Sequence, residues 1–164
     1  MVELIRIKSS EEISKVSKLA MEIMKEHYDP IVGSEVNDHM LKKFQSVEGI
    51  TAEMEDGAEY YFVNADGEHV GFVAVQPKED YLYLSKFYLA KRHRGKGYAK
   101  DMMAFVKDRA KSCNFDSIML NVNADNAATV KTYRHFKFEI VEEIWREVGE
   151  GYCVHDYVMQ YKSI

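Results

Sequence analysis

Six residues, Arg94-Gly95-Lys96-Gly97-Tyr98-Ala99, carry the clearest chemical signal in the chain. An apolar, strand-like run from Tyr81 to Leu89 precedes them, and an amphipathic run beginning Lys100-Asp101-Met102-Met103 follows. A strand, a short basic glycine loop and a helix, in that order, make an anion site. The first N–H groups of the helix have no partner within it, and the helix dipole adds partial positive charge there. Two glycines let the main chain approach an oxyanion with no Cβ in the way. Between Lys86 and Lys100 stand six lysines and arginines (Lys86, Lys91, Arg92, Arg94, Lys96 and Lys100) and no acidic residue. The expected partner is a diphosphate.

Spacing separates three kinds of glycine loop. A P-loop needs G-x-x-x-x-G-K-[ST], whereas here Lys96 lies between the glycines and Tyr98 follows them. A dinucleotide loop needs G-x-G-x-x-G, but Lys100 occupies the third glycine position, and the strand comes midway along the chain. The third kind fits. Arg94-x-x-Gly97-x-Ala99 resembles the [QR]-x-x-G-x-[GA] pyrophosphate loop of the GNAT family, the Gcn5-related N-acetyltransferases. A second segment agrees. After Ser117 to Val122 comes Asn126-Ala127-Ala128-Thr129-Val130-Lys131-Thr132-Tyr133, then Phe136-Lys137-Phe138. It is similar to the family's asparagine-to-tyrosine segment, except that Lys137 stands where the family usually has glycine.

The resemblance spans Met1 to Ile164, a single N-acetyltransferase domain, and is densest from Gly71 to Phe138. It implies acetyl-CoA as co-substrate and a primary amine as acceptor. Arg94, Gly95, Lys96, Gly97, Tyr98 and Ala99 would hold the pyrophosphate, mainly by main-chain N–H groups. The main chain of Phe87, Tyr88 and Leu89 would pair with the pantetheine arm. Asn126 would bond the same arm, and its residue type also suits a helix cap. Tyr133, seven residues on, would bind the cofactor and act as general acid to the coenzyme A thiolate. The base is open among Glu26, His27, Ser85 and Asp156. Glu26 to Gly33, Leu84 to Lys86 and Asp156 to Met159 resemble a bacterial subgroup related to PaiA-type polyamine acetyltransferases. That likeness implies a small cationic acceptor, polyamines among them. Peptide or protein N-acetylation, and a non-catalytic acetyl-CoA sensor, stay open. The resemblance allows a homodimer through the last two strands.

The elements that must position these residues follow from patterning. Glu3 to Lys8 alternates as a strand. Ser9 or Ser10 can cap a helix whose apolar positions run Ile13, Val16, Leu19, Ala20, Ile23 and Met24, closed by Pro30 and Gly33. Glu35 to Gln45 reads as a second helix with Val36, Met40, Leu41 and Phe44 on one face. Val47 to Met54 reads as a short third helix, weakened by Gly49 and Thr51. Strands are expected at Ala58–Asn64, Val70–Gln76, Tyr81–Leu89, Asp116–Val122, Phe138–Val148 and Tyr152–Lys162. Helices are expected at Ala99–Ser112 and Asn126–Phe136. The order is a mixed α/β (α+β) domain. The GNAT resemblance implies a central, mostly antiparallel mixed sheet of about seven strands flanked by about four helices.

Composition narrows the partners. The chain has 164 residues, 46% hydrophobic and 30% charged, which is globular. Its net charge of −5 argues against general nucleic-acid binding, so the basic cluster is local. No secretory signal or membrane span is expected, and a cytoplasmic location is. Cys113 and Cys153 are too few for a disulfide framework or a zinc site, and no metal is expected.

Overall fold

The computed structural model describes residues 1–162, without the side chains of Phe44 and Val148. Ser163, Ile164 and the expected place of the Phe44 side chain on its helix face lie outside the described residues. One seven-stranded sheet organises the chain, in the order β1-β2-β3-β4-β5-β7-β6. The strands are β1 (Glu3–Arg6), β2 (Glu59–Ala65), β3 (Glu68–Pro77), β4 (Leu82–Leu89), β5 (Ser117–Asn123), β6 (Glu139–Gly149) and β7 (Tyr152–Lys162). Every neighbouring pair is antiparallel except β4–β5, which is parallel. The expected mixed, mostly antiparallel sheet is therefore present.

Five α-helices flank it, the short third helix among them. They are α1 (Ser10–Val32), α2 (Ser34–Phe44), α3 (Val47–Glu55), α4 (Tyr98–Ser112) and α5 (Ala127–His135). Ser46 starts α3 by accepting a hydrogen bond from Gly49 N, which offsets the poor propensity of that glycine. Ser9 starts α1 through a capping box with Glu12. Contrary to expectation, Pro30 does not close α1. It sits in the last turn, and Gly33, at φ 89°, ends the helix.

Alternation along β2 and β3 divides the core between two faces. Tyr61, Val63, Val73 and Val75 face Met102, Met103 and Val106 of α4. Tyr60, Phe62, Phe72 and Ala74 face Val16, Ala20 and Ile23 of α1 and Ile50 of α3. Both faces are covered, which is why these strands read as nearly continuous apolar runs. A charged clamp fixes α4 on its face. Arg109 Nε and Nη2 donate to the two carboxylate oxygens of Glu59 at 2.8 and 2.6 Å.

The end of α5 answers the question raised by Lys137. Lys137 N donates to Arg134 O and Phe138 N to Tyr133 O, the paired bonds of a Schellman cap. Lys137 itself takes the left-handed conformation, φ 74°, that glycine would adopt without strain. The hydrophobic contact that accompanies such a cap is here Tyr133 against Phe138, ring centroids 5.6 Å apart. The cap thus seats Tyr133.

Two outcomes follow. Lys137→Gly should stabilise the fold by about 0.5–1 kcal/mol, read from denaturant unfolding, because relief of strain exceeds the added freedom of the unfolded chain. Arg109 also holds the Glu59 carboxyl below the ordinary glutamate value of 4.5. The unfolded chain then binds that proton more readily. The stabilisation is full above pH 4.5 and is lost as pH falls through the lower folded value. Glu59→Gln should lower stability at pH 7 and flatten the acid limb of a stability-against-pH curve; an unchanged limb would contradict this.

Candidate active site

The site begins with an interruption in the sheet. Strands β4 and β5 pair only at Leu82–Ile118 and Tyr83–Met119. Beyond Tyr83 they part, and the β5-facing edge of β4 has no ladder partner over Lys86 to Leu89 among the described residues. A bulge sits at the parting. Ala74 lies opposite Lys86 while Val75 lies opposite Leu84, so Ser85 is the extra residue. The extra residue reverses the alternation. Leu82 and Leu84 face α4, and so do Phe87 and Leu89. Tyr83, Ser85, Lys86 and Tyr88 all line a cavity on the opposite side.

A cleft opens on the α4 side. Phe87, Tyr88, Leu89, Arg94, Gly95, Gly97, Tyr98, Ala99 and Tyr133 border it, together with His27. All but two of the residues expected to hold the donor are thereby brought together. At its base α4 starts bare. Gly97 is the N-cap in the left-handed conformation (φ 81°, ψ 5°), and no side chain caps the helix. Gly95 is likewise left-handed, at φ 78°, and the space where a Cβ would stand is open at both glycines. The uncapped N–H groups and the open cradle fit a pyrophosphate. Arg94 braces the loop against the strand end, its Nε and Nη2 donating to Leu89 O at 3.2 and 3.1 Å.

Two expected contributors lie elsewhere. The Lys96 side chain is exposed and outside the cleft wall, so only its main chain belongs to the loop. Asn126 occupies the N-cap position of α5, yet its side chain makes no capping bond. It is buried, with Nδ2 3.0 Å from His27 Nε2 and 3.2 Å from Tyr28 Oη. It ties the end of α1 to the start of α5 and does not border the cleft.

Tyr133 is buried against Phe87 and Phe138, and its hydroxyl makes no hydrogen bond among the described residues. Burial, reinforced by Tyr28 and Tyr83, pushes its pKa far above that of a free phenol, so it stays protonated.

The second cavity, of about 200 Å³, lies between α1–α2 and the sheet. Tyr88 lines both recesses, and its hydroxyl is 3.3 Å from that of Tyr28. Four charged residues line this cavity in two pairs. Lys86 Nζ is 3.4 Å from Glu53, and Arg146 Nε donates to Asp156 Oδ2 at 2.9 Å.

The four base candidates separate accordingly. Glu26 is exposed and borders neither recess. His27 borders the donor cleft, and burial, then the nearby Arg94 charge, lowers its pKa, leaving it neutral at pH 7. Ser85 lies in the second cavity and accepts from Lys86 Nζ at 3.1 Å. Asp156 is buried there beside Arg146. Glu53, Arg146 and Gln45 escaped the sequence reading. Lys86 stands in the sequence among the basic residues and in the Leu84 to Lys86 likeness, with no role at a site. The signal available for it was a charge inside an aromatic strand.

A helix-end anion cradle thus lies beside a split parallel pair, with a second cavity across a shared tyrosine. The acetyltransferase (GNAT) family model matches residues 20–138, and the chain belongs to that family. No curated protein matches the chain. Among solved structures, PaiA N-acetyltransferase from Thermoplasma acidophilum, in complex with coenzyme A, is 19% identical, with a TM-score of 0.80 over 99% of each chain. The ribosomal-protein-S18-alanine N-acetyltransferase from Escherichia coli is 12% identical, with a TM-score of 0.73 over 99% of this chain and 94% of that one. A GNAT family acetyltransferase from Elizabethkingia anophelis with acetyl-CoA bound is 13% identical, with a TM-score of 0.64 over 98% and 97%. These likenesses are of fold.

The cradle can be tested without turnover. Gly97→Ala puts a Cβ into it and strains a left-handed position. Calorimetric titration with coenzyme A should give an affinity at least about tenfold weaker, equivalent to 1.4 kcal/mol. Lys96→Ala should change affinity less. Unchanged binding by Gly97→Ala would place the pyrophosphate elsewhere.

Proposed function

We propose that the protein transfers an acetyl group from acetyl-CoA directly to a primary amine of a small-molecule acceptor, in a ternary complex, with Tyr133 as general acid. The observation that carries this reading is the shared wall. Tyr88 borders both the donor cleft and the second cavity, so an acyl group and an amine can meet beside it without a covalent enzyme intermediate. Acetyl-CoA supplies the activated acyl group as a thioester.

The residues of the chain divide the remaining work. Main-chain N–H groups from Gly95 to Ala99 hold the pyrophosphate. The unpaired edge of Phe87, Tyr88 and Leu89 holds the pantetheine arm as an added strand would. Tyr133 keeps its proton and offers it at the sulfur end of the cleft. Burial makes the phenol a weaker acid, but the same dry surroundings raise the thiol, so the two stay matched. Of the base candidates, His27 alone borders the donor cleft, with its Nε2 accepting from the Asn126 amide. Asn126 acts by holding His27 and Tyr28 in place.

The second cavity supports a small acceptor. Its volume, about 200 Å³, falls below the roughly 300–1,000 Å³ of sites for drug-sized ligands. A polyamine acceptor rests on the sequence likeness of residues 26–33, 84–86 and 156–159, and the balanced charges of the cavity do not add to it.

Thiol release from acetyl-CoA, followed across a panel of primary amines and peptides, tests the activity. No release above background with any of them would overturn it in favour of a binding-only role. Tyr133→Phe should keep coenzyme A affinity within about twofold and lower turnover by about a hundredfold, the lower range for general acid catalysis. Equal turnover would remove Tyr133 from the chemistry.

A further inference from the structure

The second cavity holds more hydrogen-bonding information than a primary amine alone would use. Its carboxylates are partly engaged. Glu53 Oε1 accepts from Tyr60 Oη at 2.6 Å and Oε2 from Lys86 at 3.4 Å, while Asp156 Oδ2 accepts from Arg146. Its cations are partly engaged too. Lys86 has three N–H donors, of which Glu53 and Ser85 take two. Arg146 uses Nε on Asp156, and its two terminal nitrogens bond to none of the described residues. Both signs therefore keep unspent capacity, and its donor part comes from two cations lining one cavity. Burial disfavours the Lys86 charge, Glu53 favours it, and the field of Arg146 disfavours it again. A second anion beside both cations would relieve that conflict.

A separate observation also points to a ligand. Gln45 is 2% exposed and lines the same cavity, and its Oε1 has no hydrogen-bond partner. A buried amide oxygen without a partner is costly unless an N–H of a bound molecule or a water completes it. The cavity thus offers donors for an anion and an acceptor for an N–H.

We propose that the acceptor is a small amino carboxylate, and that Lys86 and Arg146 hold its carboxylate while its amine faces Tyr88 and the donor cleft. This rests on the acetyltransferase reading above. Lys86 and Arg146 act here as specificity residues. A carboxylate matches the planar fork of Arg146, whose two terminal nitrogens bond to none of the described residues.

The test compares matched acceptors in the thiol-release assay: ω-amino carboxylates from glycine to aminohexanoate, their carboxamides, the alkylamines lacking the carboxyl group, aminoalkyl phosphates, and di- and polyamines. At least one amino carboxylate should exceed its carboxamide by about tenfold or more in kcat/KM. Equal or better use of carboxamides, phosphates or polyamines would overturn the inference and leave the acetyltransferase reading standing. Turnover of no acceptor at all would overturn that reading. Calorimetric binding of the same carboxylate and carboxamide pairs to the coenzyme A complex then decides the inference alone, tighter carboxylate binding supporting it and equal binding ending it. Arg146→Gln combined with Asp156→Asn removes the cation without stranding the carboxylate. It should raise KM for the amino carboxylate about tenfold and abolish the preference over the carboxamide. Arg146→Lys should retain part of that preference. A preference undiminished in the double variant would remove Arg146 from recognition.

Discussion

The parting of β4 from β5 is the constraint on which the rest of the site depends. Two parallel neighbours pair for two residues each and then separate, and the single extra residue Ser85 marks the point. Within an ordinary ladder, the main-chain groups of Phe87 to Leu89 would be consumed by β5. With the strands apart they are left for an extended ligand. The same bulge turns Ser85 and Lys86 toward one side and returns Phe87 and Leu89 to the other. One irregularity of register therefore supplies both a donor edge and an acceptor wall.

Placement of the anion cradle depends on a second set of contacts. Helix α4 must present its first N–H groups at the mouth of the gap, and its apolar face, Met102, Met103 and Val106, packs on the sheet to do so. The Arg109–Glu59 pair fixes its far end to β2. The Schellman cap of α5 performs the corresponding task for Tyr133, which packs against Phe138 through the turn that ends its own helix. Helix dipole, glycine conformation and capping are local effects, and the sheet aims them at one another. At Gly71, a Cβ would overlap the Tyr88 carbonyl oxygen, so β3 approaches β4 closely just where the cleft begins.

What could be seen in the sequence was what is local along the chain. The loop from Arg94 to Ala99 announced itself because its function lies in backbone conformation, which two glycines encode directly. Tyr133 was visible as a helical neighbour of Asn126. The first strand showed as alternation and β2 and β3 as apolar runs, and the bounds of all seven fall within a few residues of expectation. What was hidden depends on register between strands. Tyr81 to Leu89 reads as one uniform strand, so neither its bulge nor the change of face after it could be seen. The pairs Lys86–Glu53 and Arg146–Asp156 join residues 33 and 10 positions apart. Asn126 misled for a different reason. Its residue type and position suit a cap, but a buried partnership with His27 and Tyr28 engages its side chain instead. Lys137 hid a glycine-like turn, because tertiary packing holds it where local preference would not.

A crystal structure with acetyl-CoA bound tests the central claim most directly. The account predicts the pyrophosphate within hydrogen-bonding distance of the main-chain N–H groups from Gly95 to Ala99, the pantetheine arm along Phe87 to Leu89 in the β4–β5 gap, and the thioester sulfur beside the Tyr133 hydroxyl. A cofactor bound away from the gap, or threaded through it with its sulfur remote from Tyr133, would contradict the account.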